Sequence, residues 1–299
     1  MRFATLLAAT RPAFLSVTLA AVILGLSTAA ADGVFHSPGL AALTLVFALI
    51  AHAGANVIND YYDALNGCDE ANTERIYPFT GGSRFIQEGR LTQRQTALLG
   101  YGLLALVIPA GLYLITRSGN DLLLIGLCGL IAGWAYSAQP LKLQSRGMGE
   151  LTITLAWLTV VIGSDYVQRG SLSGTPLMAG MAYALLVANV LFINQIPDYK
   201  ADAGSGKRTL IVRLGCSFAP VGCALLYLMA IAAVCLGIVL HQLPQAALAS
   251  LIVILPAMYS VAQLRTSPTD RAMLSRIIPL TITTTLLFGV LLSASLLIG

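Results

Sequence analysis

Long apolar runs, each broken off by a short polar stretch, repeat along the whole chain. Runs near residues 13 to 31, 40 to 58, 96 to 115, 121 to 137, 149 to 163, 176 to 196, 217 to 240, 245 to 263 and 277 to 298 come close to the length a membrane helix needs. That length is about 20 apolar residues for a bilayer core of about 30 Å. The pattern predicts an all-α fold, a polytopic membrane helical bundle of nine transmembrane helices forming a single domain over residues 1–299. Two long hydrophilic stretches interrupt it: 59 to 95, after the second run, and 197 to 216, after the sixth. Four spans lie between them, and an even number returns the chain to the same face of the membrane.

Composition agrees with the pattern. At 57% hydrophobic and 10% charged residues, the chain has too little polar surface to coat a soluble globule of 299 residues. The basic residues then orient it, because Lys and Arg collect in short cytoplasmic loops. With the N-terminus inside, the inner segments hold all of the 17 basic residues, from Arg2 and Arg11 onward, except Arg117 and Arg169. The expectation is N-in, C-out, with both hydrophilic stretches in the cytoplasm. The net charge of +4 reflects this sidedness and gives no reason to invoke nucleic acid. The first run, "PAFLSVTLAAVILGL" followed by "STAAAD", imitates a cleaved secretory signal. Arg11-Pro12 stands late for the basic region of a signal, and the charge alternation uses this run as the first span. The five cysteines form no CxxC pair, so a zinc site or disulfide framework is not expected.

The two hydrophilic stretches begin alike. "ANVINDYYD" puts Asn56, Asp60 and Asp63 at i, i+4 and i+7, and "FINQIPDYKAD" puts Asn194, Asp198 and Asp202 at i, i+4 and i+8. Each is an apolar helix, then Asn, then two carboxylates about one turn apart on one face. Asp and Asn also end helices as ordinary caps and turn formers. Two clusters with matched spacing on one face of the membrane, each followed by basic residues, are better read as function, since acids at membrane depth are costly. The repetition looks like a weak internal duplication whose halves could face each other across the bundle.

Carboxylates at this spacing supply hard oxygen ligands, and Mg²⁺ takes such oxygens together with substrate phosphates. The nearby bases Arg75, Arg84, Lys200, Lys207 and Arg208 suit phosphate oxygens. "YPFTGGSR" adds a Gly81-Gly82 turn that could bring backbone N–H groups to a phosphate, although it lacks the ending of a Walker motif. A diphosphate held at the mouth of a membrane bundle implies a greasy remainder, as in a polyprenyl diphosphate. Its allylic C–O bond ionises, and an electron-rich acceptor traps the cation away from water.

At these residues the chain resembles the UbiA superfamily of intramembrane prenyltransferases. The first motif is Asn59-Asp60-Tyr61-Tyr62-Asp63 with Asp69 after it, and the second is Asp198-Tyr199-Lys200-Ala201-Asp202. "NDYYDALNGCD", "NQIPDYKADAGSGKRTLIVRLG" and "RGMGEL" after "YSAQPLKL" look most like the MenA branch, the 1,4-dihydroxy-2-naphthoate polyprenyltransferases. The resemblance implies a UbiA-like fold with two cytoplasmic active-site loops in a bacterial inner membrane. It implies that a polyprenyl chain replaces the naphthoate carboxylate, with loss of CO₂ and diphosphate, on the route to menaquinone. It further implies that Asp60, Asp63, Asp198 and Asp202 are catalytic and hold Mg²⁺, that Asp69 either binds metal or orients the acceptor, and that Asn56, Asn59 and Asn194 line the cavity. Arg84, Lys142, Lys207 and Arg208 become candidates for the diphosphate. Pro197, directly before Asp198, departs from expectation and could shift that helix end.

Tyr136, at the inner end of the fourth span, belongs either to an aromatic belt or to the cavity, where its ring would stabilise a carbocation. Trp134 and Trp157 fit the belt. His52, one turn before Asn56, reads as a polar contact between helices, with a role at the acceptor as the alternative. Acceptor choice and prenyl length are set by cavity shape, so 4-hydroxybenzoate, homogentisate, haem or a chlorophyll precursor remain rival acceptors. A secondary transporter is the rival of another class, but its acids would sit near the midplane rather than at helix ends. The expected partners are a polyprenyl diphosphate, an aromatic acceptor and the lipid bilayer, with no protein partner required.

Overall fold

The computed structural model describes residues 3–299; Arg2, one of the basic residues expected on the inner face, lies outside them. The elements are α1 (Phe3–Ala9), α2 (Leu15–Ala31), α3 (Pro38–Leu65), α4 (Cys68–Ala71), α5 (Gln93–Ser118) and α6 (Asp121–Ala135), followed by α7 (Gly149–Arg169), α8 (Gly174–Gly204), α9 (Leu210–Leu214), α10 (Ala219–Val239), α11 (Ile254–Thr266) and α12 (Arg271–Ile298). Helices are what an apolar chain forms in lipid, because each backbone N–H then finds its carbonyl within the same segment. Several of the long helices start on side-chain caps. Ser37 accepts from Leu40 N at 3.3 Å ahead of Pro38. Thr92 and Gln95 form a reciprocal capping box on α5. Asp270 accepts from Met273 N at 2.7 Å on α12.

Among the described residues, eight helices are long and apolar enough to cross a membrane, α2, α10 and α11 counted with the 3₁₀ turns that precede them as Pro12–Ala31, Cys216–Val239 and Gln245–Thr266. Asp121–Ala135, read from the sequence as the fourth of nine spans over 121 to 137, has 15 residues. At 1.5 Å per residue that is about 22 Å, short of a full hydrocarbon core. It packs against α5 and α7.

Two helices outrun their expected spans. The second apolar run ends at 58 by hydropathy, yet α3 continues to Leu65; the sixth ends at 196, yet α8 continues to Gly204. The first residues of both hydrophilic stretches are therefore helix. The cause is the spacing of the acids themselves, which keeps one face pointed inward after the apolar run has stopped. Pro197 sits inside α8 and does not end it.

α8 is the axis of the bundle. It packs against α2, α7, α10 and α12, and Tyr183, Leu186, Phe192 and Ile193 are fully buried along it. Tyr183 donates its hydroxyl proton to the Val17 carbonyl of α2 at 2.8 Å, satisfying the polar atom it buries. Beside this core, α3, α5, α6 and α7 enclose a second space that is left open.

Candidate active site

The acids of α3 and α8 meet across one cavity of about 200 Å³, whose wall includes Asn56, Asn59, Asp63, Asp69, Asn194, Asp198, Asp202 and Lys207. α3 presents Asn56, Asn59, Asp60 and Asp63 along its last turns. The chain then reverses at Gly67 into α4, which buries Cys68 and Asp69. The segment 72–84 crosses from one cluster to the other. Its Gly81 N–H donates to Asp198 Oδ2 at 3.2 Å, and its Ser83 N–H donates to Asp60 Oδ2 at 3.2 Å. Between these points a Cβ on Gly82 would lie 2.9 Å from Asp69 Oδ2 and 3.0 Å from Asp60 Oδ1, with φ at +67°. Only glycine lets the backbone pass between the two carboxylates.

The two halves are bonded to one another. Lys207 Nζ lies 3.1 Å from Asp63 of α3 and 3.5 Å from Asp202 of α8. The Cys68 thiol donates to Asp202 Oδ1 at 2.9 Å, and Asn72 Nδ2 donates to Asp198 Oδ1 at 2.6 Å. Asp63 also accepts from Asn59 Nδ2 at 2.9 Å and Gln144 Nε2 at 3.3 Å. Arg11, from before the first span, pairs with Asp60 and donates to Asn59 Oδ1 at 3.3 Å. The matched spacing read from the sequence thus corresponds to two helix ends that face each other.

Charge does not balance here. Five aspartates converge, and Arg11 and Lys207 are the bases paired with them. Burial, and then the nearby Asp63 charge, pushes Asp69 up to about 7 although Arg11 and Lys207 pull the other way. Burial works against the Lys207 ammonium, but Asp63 and Asp202 outweigh it and hold its pKa well above the usual value. Burial also raises the Cys68 thiol, so it stays a neutral donor. Among the described residues, no three Asp, Glu, His or Cys side chains stand close enough to cage a metal as they are, since Lys207 lies between Asp63 and Asp202. The donor set nevertheless fits a hard divalent cation: every ligand is oxygen, the carboxylates outnumber the bases, and Asp69 is pushed up to about 7 by burial and then by Asp63.

Of the remaining expected residues, Tyr136 lines the cavity, and three bases do not reach its wall. Arg84 turns its guanidinium onto the carbonyls of Asp69 at 2.7 Å and Asn72 at 3.2 Å, tying down the crossing segment. Lys142 donates to Asn66 Oδ1 at 3.1 Å. Arg208 is exposed, with its backbone N–H on the Ser145 carbonyl at 3.1 Å. Arg75 lies over the Tyr77 ring at 5.6 Å, and Lys200 pairs with Glu74 at 2.7 Å, both away from the cavity. Sequence reasoning missed Arg11 as a site residue, together with Asn72, Gln144 and Cys68. Arg11-Pro12, a lone basic residue where a span begins, was the available signal.

A second, apolar cavity of about 380 Å³ runs between α3, α5, α6 and α7, past Ala48, Ala51, Leu104, Val107, Gly129 and Val160. It shares His52, Ala55, Gly133, Ala156 and Trp157 with the polar cavity, so a polar chamber opens onto a greasy one.

Comparison with known proteins gives this arrangement its family. Residues 18–278 match the UbiA prenyltransferase family. A 1,4-dihydroxy-2-naphthoate octaprenyltransferase of Escherichia coli (strain K12) is 32% identical over 213 residues, 69% of this chain and 67% of that one. The protein of the same name from Bacillus subtilis (strain 168) is 29% identical over 210 residues, 69% of this chain and 64% of that one. The chain thus spans about two thirds of the length of these relatives. Among solved structures, a UbiA homologue from Archaeoglobus fulgidus bound to GPP and Mg²⁺ shares the fold with a TM-score of 0.62 at 17% identity, covering 96% of this chain and 99% of that one. The transporter reading falls with these findings. Two facing acidic helix ends, a polar chamber opening onto an apolar one and a family match over most of the length place the chain in the UbiA prenyltransferase family.

Proposed function

We propose that this protein transfers a polyprenyl chain from a polyprenyl diphosphate to 1,4-dihydroxy-2-naphthoate in a Mg²⁺-dependent reaction, giving demethylmenaquinol with loss of CO₂ and diphosphate. The observation that carries it is the convergence of four aspartates, Asp63, Asp69, Asp198 and Asp202 from α3, α4 and α8, on a chamber that shares its wall with an apolar cavity, with Asp60 beside Asp69 across Gly82. Similarity to two 1,4-dihydroxy-2-naphthoate octaprenyltransferases supports the choice of acceptor over 4-hydroxybenzoate and the other phenols. The charge pattern of the loops supports an N-in bundle with the acidic chamber facing the cytoplasm from a bacterial inner membrane.

Asp60, Asp63, Asp69, Asp198 and Asp202 would hold the metal, which when bound neutralises the diphosphate and eases its departure. Lys207 and Arg11 offer N–H donors to the same oxygens. Gly81 and Ser83, whose N–H groups rest on Asp198 and Asp60, add backbone donors beside the diphosphate. The apolar cavity takes the prenyl chain and keeps water from the allylic cation, so that the aromatic ring is the nucleophile within reach.

Membranes containing the protein, given labelled geranylgeranyl diphosphate, Mg²⁺ and a panel of aromatic acids, should prenylate 1,4-dihydroxy-2-naphthoate in preference to 4-hydroxybenzoate or homogentisate. Preference for another acid would overturn the choice of acceptor. Failure to consume the diphosphate with any acceptor would overturn the reaction.

A further inference from the structure

The two cavities meet at a neck, and the neck carries polar atoms that the chain leaves without partners. Trp157 lines both cavities and is 9% exposed, yet its indole N–H is buried with no hydrogen-bond partner among the described residues. Asn194, on the wall of the polar cavity, buries its Oδ1 in the same condition. One is a donor from α7 and the other an acceptor from α8. Buried polar atoms in native structures almost always find partners, so an orphaned donor and acceptor on one cavity wall mark a place where a ligand completes the bonds.

His52 is the third polar group at the neck, and it is held still. Its Nδ1 lies 2.8 Å from Thr18 Oγ1 on α2, and its ring stands edge-on to Trp157 with centroids 4.9 Å apart and planes at 86°. In the tautomer that gives Nδ1–H to Thr18, Nε2 keeps a lone pair, with the Asn56 side chain as its hydrogen-bonding neighbour. The sequence suggested a contact between helices, which the Thr18 bond is. It did not show that the same ring lines both cavities.

Resting on the reading above, with the diphosphate among the aspartates and the prenyl chain in the apolar cavity, the reacting allylic carbon falls at this neck. The geometry points to the neck as the subsite for the aromatic acceptor: Trp157 donates to its carboxylate, Asn194 accepts from one hydroxyl, and His52 is the base for the hydroxyl beside the carboxylate-bearing carbon. The steps balance. That O–H bond breaks and the proton passes to Nε2. The allylic C–O bond breaks with its electrons leaving on the diphosphate, and the electron pair released by the hydroxyl joins the neighbouring ring carbon to the allylic cation. The ring is then a ketone with a carboxylate one carbon away, a β-keto acid. Its C–CO₂ bond breaks, CO₂ departs, and the regenerated phenolate takes the proton back from His52. No oxidant or reductant is required.

The test uses the full chain in lipid nanodiscs with geranylgeranyl diphosphate and Mg²⁺. His52→Gln can still bond Thr18 but cannot take up a proton. It should lower kcat by about 100-fold or more, the usual worth of a general base, while KM for the diphosphate stays within about twofold. The deficit should shrink for dihydroxynaphthoates whose electron-withdrawing substituents make the hydroxyl more acidic. Trp157→Phe should raise the acceptor KM about tenfold with little change in kcat. A His52→Gln enzyme with nearly normal kcat, or with the same deficit for every acceptor, overturns the proposal. Should His52→Gln fail to insert, Trp157→Phe decides, and an unchanged acceptor KM overturns the subsite. If the wild type prefers 4-hydroxybenzoate, the acceptor assignment fails and the same variants are measured with that acid. Dependence on His52 there preserves the neck as the acceptor subsite, and indifference overturns it.

Discussion

Two sets of carboxylates stand at the two ends of this bundle, and they are built differently. At one end, Asp165 of α7 is closed on every side: Arg169 bonds it at 2.7 and 2.9 Å, and Thr28 donates to it at 2.8 Å. The second acid there, Asp32, pairs with the same arginine at 2.6 Å, and its side chain is 38% exposed to solvent. Fifteen residues back along α7, about 22 Å away by helix rise, lies the end where five aspartates share two paired bases. The first set is complete without a ligand. The second is not, and its crossing segment threads a glycine between carboxylates that would otherwise repel each other. Counting partners, rather than counting acids, separates a structural ion pair from a site that awaits cations and an anion.

The comparison can be broken by substitution. The largest expected effect on the fold lies at the closed end. Asp165→Asn leaves the partly exposed Arg169 with Asp32 alone and should cost about 2 kcal/mol of stability, read as a lowered melting temperature, while turnover per folded molecule stays unchanged. A loss of turnover without a loss of stability would make that end functional too.

A smaller effect belongs to Asp69, whose pKa is pushed to about 7 by burial and then by Asp63. An acid raised in the folded state favours the fold while protonated, and that contribution is lost as pH climbs from the unfolded value, about 4, through 7. Metal-free protein should therefore melt at a lower temperature at pH 8 than at pH 5, and Asp69→Asn should flatten the difference. A slope that Asp69→Asn leaves untouched would assign it to another group. The smallest effect is expected at Arg208. Its side chain is exposed beyond the cavity wall, so Arg208→Ala should leave KM for the diphosphate within about twofold, and a tenfold rise would show that the segment carrying it folds inward on the substrate.

What could be read from the sequence was what is local. Apolar runs and the i, i+4 spacing of Asp60 with Asn56 and Asp198 with Asn194 are properties of single helices, and they located both halves of the site. Helix ends were less legible, because hydropathy stops where acids begin while α3 and α8 keep winding to Leu65 and Gly204. The bases were the least legible. Arg84, Lys142 and Arg208 stand near the acids in sequence but turn to carbonyls, an amide or solvent. Arg11 reaches Asp60 across 49 positions. A cation's destination depends on which helices become neighbours, and nothing in its own segment records that. The same holds for the Gly81 and Ser83 N–H groups, since backbone donors carry no residue-type signature.

The central claim is that the two facing clusters act as one cation-dependent site. It is tested most directly by the rate of diphosphate release from labelled geranylgeranyl diphosphate and 1,4-dihydroxy-2-naphthoate, measured against Mg²⁺ concentration for the wild type, Asp60→Asn and Asp198→Asn in nanodiscs. Both variants should insert normally and lose about three orders of magnitude or more in rate, in line with removal of a group that stabilises charge in the transition state, and EDTA should silence the wild type. Full activity in both variants, or a wild-type rate indifferent to EDTA, would contradict it.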